Sequence, residues 1–142
     1  MHEVDDDGLL EAFFAVSRRL RHRTREALGP WELSPSLGRA ISVLAHHGDL
    51  RPGTLAEHLR IAPRSATEVV DDLQQRGLAG RRPDPADRRA VLVTLTDEGR
   101  RVSGEIRAAR REAGESFFAT LSPADRTELS RLLRSLRDDP TG

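Results

Sequence analysis

At 142 residues the chain suits one domain with a buried core, and its lack of cysteine excludes disulfides, thiolate catalysis and cysteine redox sensing. Its 23 basic and 23 acidic residues balance to a formal charge of zero, which taken alone argues against a nucleic-acid binder. With no Tyr and one Trp, an aromatic platform for stacking bases is not expected. No run approaches the roughly 18 apolar residues of a membrane span, and no charged-then-apolar leader is visible, so the expected location is cytoplasmic, away from membranes.

The distribution of charge says more than its sum. Glu3, Asp5, Asp6, Asp7 and Glu11 crowd the N-terminus, whereas Arg18 to Arg25 holds five arginines, which read as a solvated helix face. All 23 basic residues are arginine. From Arg76 to Arg89 there are five arginines against Asp84 and Asp87, a local excess of three positive charges and a candidate anion-binding point.

In chain order, Leu9, Leu10, Phe13, Phe14 and Leu20 recur at helical spacing until Gly29-Pro30. Ser34-Pro35 is an N-cap followed by proline at the first helical position, and Leu37, Ala40, Ile41 and Leu44 form the buried stripe of a second helix that ends near Gly48. A short third helix is expected from the capping-box spacing of Thr54 and Glu57. The fourth begins at Pro63, carries Ala66, Val69, Val70 and Leu73 inward, and stops at Gly77 as a left-handed residue. Two helices joined by a tight turn form a helix-turn-helix.

Leu78 to Arg82 and Ala90 to Leu95 read as two strands around a charged loop, with Val91, Val93 and Leu95 on one face. Thr96 caps a long helix that carries Val102, Ile106, Ala109, Ala113 and Phe117 to about residue 119. Ser122-Pro123 opens a last helix with Asp125 in capping-box position and a stripe of Leu129, Leu132, Leu133 and Leu136, and residues 138–142 should fray. The fold class is therefore mainly α: a winged helix-turn-helix with a small two-stranded β-wing, flanked by N- and C-terminal helices.

With these elements in place, the chain resembles the MarR (multiple antibiotic resistance regulator) family of transcriptional regulators. The resemblance rests on Leu55-Ala56-Glu57-His58-Leu59, Val69-Val70-Asp71-Asp72-Leu73 and Arg76-Gly77-Leu78, in order. The wing pattern Asp-x-Arg-x5-Leu-Thr follows as Asp87, Arg89, Leu95 and Thr96, with Glu98-Gly99 after it. It covers essentially the whole chain, read as one domain over 1–142: dimerisation helices in 1–29 and 100–138, the winged helix-turn-helix in 34–95, the wing in 83–90. It implies a homodimer that binds a palindromic site on double-stranded DNA, commonly as a repressor, and that responds to a small aromatic or acidic effector held between dimer helices and winged domain.

Placing the apolar stripe of the fourth helix inward turns Arg64, Glu68, Asp71 and Gln75 outward, flanked by Ser65, Thr67 and Asp72. Arg64 suits a guanine edge, and Ser65 and Thr67 suit phosphates or bases. Arg88 and Arg89 suit a narrow minor groove, with Asp87 expected to orient an arginine rather than meet DNA. Many relatives are basic at Glu68 and often at Asp72. Glu68 therefore either reads cytosine N4 or weakens binding, and an acidic recognition helix leaves open a winged-helix protein-interaction module as the alternative. Ala62 is a poor N-cap for this helix.

Phe13, Phe14, Phe117, Phe118, Leu129, Leu132, Leu133 and Leu136 exceed what a small winged domain needs and are the candidate dimer interface. Trp31, His22, His46, His47 and Arg18 are conceivable effector contacts, none of them assigned. His46-His47 forms no recognisable metal site. No Gly-rich phosphate loop, His-Glu-x-x-His or Ser/His/Asp grouping is present, so neither catalysis nor a cofactor is expected. Asp84 and Asp87 are expected in an exposed turn with ordinary carboxyl pKa values.

Overall fold

Four helices place proline in the first turn, where its fixed φ suits the helix and its missing N–H has no intrahelical partner to lose. The computed structural model describes residues 6–140. In order they form α1 (Asp6–Leu28), a 3-10 turn (Gly29–Trp31), α2 (Pro35–His47), α3 (Pro52–Leu59), α4 (Pro63–Gln75), β1 (Ala79–Asp84), β2 (Asp87–Leu95), α5 (Asp97–Phe118) and α6 (Pro123–Arg137). Glu3 and Asp5 of the acidic N-terminus, and Thr141 and Gly142, lie outside the described residues.

Hydroxyl caps sit where the sequence places them. Ser34 Oγ accepts from the Leu37 amide (3.3 Å), Thr96 Oγ1 from Gly99 (3.0 Å) and Ser122 Oγ from Asp125 (3.1 Å). The third helix departs from expectation: it starts at Pro52, so Thr54 lies inside it and does not cap it with Glu57. Proline at the first position nucleates the turn two residues before the hydroxyl could. Asp138 does not fray but closes α6, donating its N–H to the Arg134 carbonyl (2.9 Å) and pairing its carboxylate with Arg137.

The two strands pair antiparallel and run farther than expected, leaving Pro85-Ala86 as the turn between them. Val93 and Leu95 are buried, but Val91 is exposed because the hairpin has by then left the body. Ile41, Leu55, Val70, Leu73, Val93 and Ile106 are almost fully buried, so one core joins α2, α3, α4, β2 and α5.

The junction of α4, the hairpin and α5 demands glycine twice. Gly77 has φ +74°, the left-handed conformation expected after the last turn of α4. At Gly99 a Cβ would lie 2.0 Å from the Leu78 carbonyl oxygen, a backbone atom that no rotamer change can move. Gly99→Ala should destabilise the protein by about 2–3 kcal/mol. Urea unfolding followed by circular dichroism tests this, and an unchanged midpoint would show that α5 moves off Leu78 at little cost.

Candidate nucleic-acid interface

The helix-turn-helix is α3 and α4, joined through Arg60, which adopts the left-handed conformation (φ 56°) usually given to glycine. In α4, Ala66, Val70 and Leu73 are buried and Val69 half-buried, so Arg64, Ser65, Thr67 and Glu68 face solvent together on its first two turns. The Thr67 hydroxyl donates to the Pro63 carbonyl (3.1 Å). Ala62 provides no side-chain cap.

The acidity of this face is largely cancelled within the chain. Asp71 accepts from Arg81 (2.7 Å), which also reaches the Gln74 side chain. Asp72 accepts from Arg76 (2.9 Å), whose guanidinium also donates to the Glu32 carbonyl (3.1 Å). Glu68 is the acid of α4 with no ion-pair partner among the described residues.

The same pairs sort the five arginines between 76 and 89. Arg76 and Arg81 serve α4, and Arg82 pairs with Asp49. Arg88 and Arg89 remain exposed just past the hairpin turn, with no carboxylate partner among the described residues. Asp87 orients its neighbour through the backbone and not through a guanidinium: Oδ1 accepts the Arg89 N–H (3.0 Å).

Asp84 corrects the sequence reading. It is 9% exposed rather than loose in the turn. One carboxylate oxygen accepts from the Ala86 N–H (2.9 Å), the other from Arg51 Nε and Nη2 (3.0 and 2.8 Å). The Ala86 amide first, and the Arg51 guanidinium second, hold its carboxyl below the usual carboxylate range. Arg82 and Thr94 do the same for Asp49. Neither Arg51 nor Asp49 was singled out by the sequence. The usable signal was the complementary alternation of Asp49-Leu50-Arg51 and Arg82-Pro83-Asp84.

Away from this face, the terminal helices leave their apolar residues uncovered. Phe13 and Phe14 are about half exposed, Leu136 is 70% exposed, and α6 buries no residue. Leu132 and Leu133 are exposed; Phe117, Phe118 and Leu129 are half-buried, with the Arg19 guanidinium 5.7 Å from the Phe117 ring centroid. A cleft of about 600 Å³ between α5 and α6 is floored by Phe118, Leu129 and Leu133 and rimmed by Arg126, Arg134 and Arg137.

A second cleft of about 320 Å³ lies between α2, the base of β2 and α5, with Arg100, Ser103 and Arg107 on one side and Leu44 and Asp49 on the other. Ser42 and Arg110 line a smaller hollow of about 110 Å³ that shares Ser103 and Arg107 with it. None of Trp31, His22, His46, His47 and Arg18 lines these three clefts. Trp31 donates to Glu105 (3.0 Å), His22 lies 3.1 Å from Glu26, and the His47 ring stacks on His58 at 4.1 Å. Among the described residues no group of His, Asp or Glu is arranged to hold a metal ion, and no helix is long and apolar enough to cross a membrane.

Comparison with known proteins bears on this geometry. Residues 33–91, spanning α2 to the wing, match the MarR family. An HTH-type transcriptional regulator of Mycobacterium tuberculosis is 35% identical over 127 residues, 89% of this chain and 83% of that protein. A MarR family protein of Bacillus stearothermophilus superimposes with a TM-score of 0.87 at 25% identity, covering 100% of this chain and 99% of the other. BpsR of Bordetella bronchiseptica, whose DNA binding is regulated by 6-hydroxynicotinic acid, superimposes with a TM-score of 0.71 at 27% identity, covering 98% of both chains. By sequence and by fold, with a helix-turn-helix whose hairpin carries its unpaired arginines at the tip, the chain belongs to the MarR family of transcriptional regulators.

Proposed function

We propose that this regulator is a homodimeric, sequence-specific DNA-binding repressor that a small acidic ligand releases from a palindromic operator. The observation that carries the reading is the sorting of arginines. The hairpin spends Arg81 and Arg82 on its own scaffold and keeps Arg88 and Arg89 free at the tip, beside an α4 face that presents Arg64, Ser65, Thr67 and Glu68. In the DNA-bound arrangement α4 enters the major groove and the tip arginines reach the adjacent minor groove, with Asp87 holding the backbone of Arg89. The uncapped N-terminus of α4 adds unpaired amides that suit a phosphate oxygen. Against the protein-interaction alternative, which the acids at Glu68 and Asp72 suggest, Asp72 and its neighbour Asp71 are each paired with an arginine of the chain, and Glu68 is left as the unpaired acid of α4 among the described residues.

Phe13, Phe14, Phe117, Leu129, Leu132, Leu133 and Leu136 supply the dimer interface in this reading. Apolar faces this exposed on α1 and α6 call for a covering surface, and a second copy provides one of matching character. A two-fold dimer sets its recognition helices about 34 Å apart, one turn of DNA. The ligand occupies the cleft of about 320 Å³, a volume suited to a small molecule. Arg107, with Ser103 beside it, meets an acidic group there, and BpsR with 6-hydroxynicotinic acid is the precedent for this ligand class. Release requires that the ligand favour a spacing of the two α4 helices that the operator does not accept.

Three outcomes are expected. Light scattering of the purified protein at micromolar concentration should give the mass of a dimer, and a monomer would remove the basis for a palindromic site. In vitro selection should enrich a palindrome whose affinity falls steeply with salt and drops about tenfold or more in Arg89→Ala, as for a lost minor-groove contact. Enrichment of no palindrome defeats the reading. Glu68→Ala should cost about 1–3 kcal/mol at operators with cytosine at one half-site position and relax the preference there. Unchanged or tighter binding by this variant would mark Glu68 as a bystander or a source of repulsion.

A further inference from the structure

We infer that Asp49-Leu50-Arg51 is a positioning strap that fixes the wing tip relative to the recognition helix, so that Asp49 and Asp84 favour DNA binding although both are negatively charged. The inference rests on the DNA-binding reading and adds to it residues that touch no DNA.

Three consecutive residues hold the hairpin in three ways. Leu50 pairs through its backbone with Val93, donating to the Val93 carbonyl (3.1 Å) and accepting from the Val93 N–H (2.7 Å). Val93 stands opposite Arg81 on its other side, so β2 lies between the strap and β1. Asp49 and Arg51 flank Leu50, and strand alternation puts their side chains on one face. From there they reach across β2 to residues that alternate in the same way on β1: Asp49 to Arg82 and Arg51 to Asp84. An Asp-x-Arg on the strap meets an Arg-x-Asp on the strand.

The consequence for the tip follows from where the strap ends. Arg51 immediately precedes α3, so it belongs to the rigid start of the helix-turn-helix. The Asp84 carboxylate it grips also accepts the Ala86 N–H inside the turn, and Asp87 accepts the Arg89 N–H one step on. Successive hydrogen bonds thus connect the start of α3 to the backbone of Arg89. On the other face of the hairpin, Arg81 ties β1 to Asp71 of α4. Anchors on both faces oppose pivoting of the hairpin about its base and favour one offset of Arg88 and Arg89 from α4. Such preorganisation lowers the ordering cost of binding without adding a contact.

The sign of one measurement separates this role from simple electrostatics. Removing a carboxylate near a polyanion should tighten binding if charge alone matters. The strap predicts the reverse. Asp49→Ala and Asp84→Ala should each weaken binding to the selected operator about tenfold, and the slope of log affinity against log salt should become shallower by about 1–2 as tip contacts are lost. Asp84→Asn, which keeps an oxygen for the Ala86 amide, should fall between Asp84→Ala and the unaltered protein, and it serves as the second variant should Asp84→Ala not fold. In the free protein, backbone order parameters of residues 86–90 should drop from rigid values near 0.85 towards about 0.6 in both alanine variants. Binding that is unchanged or tighter in the folded variants, at an unchanged salt slope, overturns the inference even if the unaltered protein binds its operator well. If the unaltered protein enriches no DNA, the DNA-binding reading has failed. The order parameters then decide the strap alone: unchanged values overturn it, lowered values sustain its hold on the wing.

Discussion

Thr96 ties α4, the hairpin and α5 together through three hydrogen bonds. Its hydroxyl donates to the Gly77 carbonyl (2.6 Å) just beyond the end of α4 and accepts the Gly99 amide (3.0 Å) in the first turn of α5. Its own N–H donates to the Leu78 carbonyl (3.0 Å), where the hairpin begins. The end of α4, both strands of the hairpin and the long helix α5 leading to the apolar end of the molecule therefore converge within a few residues. Gly99 permits that convergence, because the Leu78 carbonyl occupies the space a Cβ would need. Hydrogen bonds through this one residue therefore link the start of α5 directly to the end of α4 and to both roots of the hairpin.

Charge is organised around this joint by pairing, not by excess. Each exposed arginine–carboxylate pair contributes little to stability, on the order of 0–1 kcal/mol. Collectively the pairs decide which cations remain free. Arg76, Arg81 and Arg82 are consumed by Asp72, Asp71 and Asp49, and along α5 Glu98 and Glu105 engage Arg101. A chain with zero formal charge thereby keeps an arginine-bearing wing tip, so the net charge was a poor guide to the character of that surface. Local pairing, set by the fold, was the missing variable.

What the sequence disclosed and what it withheld divide by range. Helix starts governed by a hydroxyl and a proline, such as Ser34-Pro35 and Ser122-Pro123, were legible because the determinants lie within one turn. The inward stripe of α4 and the left-handed Gly77 were legible for the same reason. The start of α3 was misplaced because two local signals competed, and Pro52 prevailed over the Thr54–Glu57 spacing. The exposed position of Val91 depends on how far the hairpin projects past the body, which period-two alternation does not encode. Asp84 was misjudged because its partner Arg51 is 33 residues away, and only the pairing of Leu50 with Val93 brings them together. Within the candidate interface, the outward set of Arg64, Ser65, Thr67 and Glu68 follows from helix periodicity alone. Which acids on that helix remain unpaired does not.

The uneven quality of the helix caps fits the same division of labour. α2, α5 and α6, which build the scaffold, each start with a serine or threonine that takes up a backbone amide. α3 and α4 start without one. At α3 the preceding residue is Arg51, whose side chain is committed to Asp84 and has no acceptor to offer. At α4 the preceding residue is Ala62, which leaves about 1 kcal/mol of capping energy unrealised in the free protein. A phosphate oxygen at that end would take up the same amides, so the missing cap is a cost to the free state that a polyanion can offset. Among α2 to α6, the two helices of the helix-turn-helix are thus the ones in which no side chain takes up an N-terminal amide, while α2, α5 and α6 each have a hydroxyl that does.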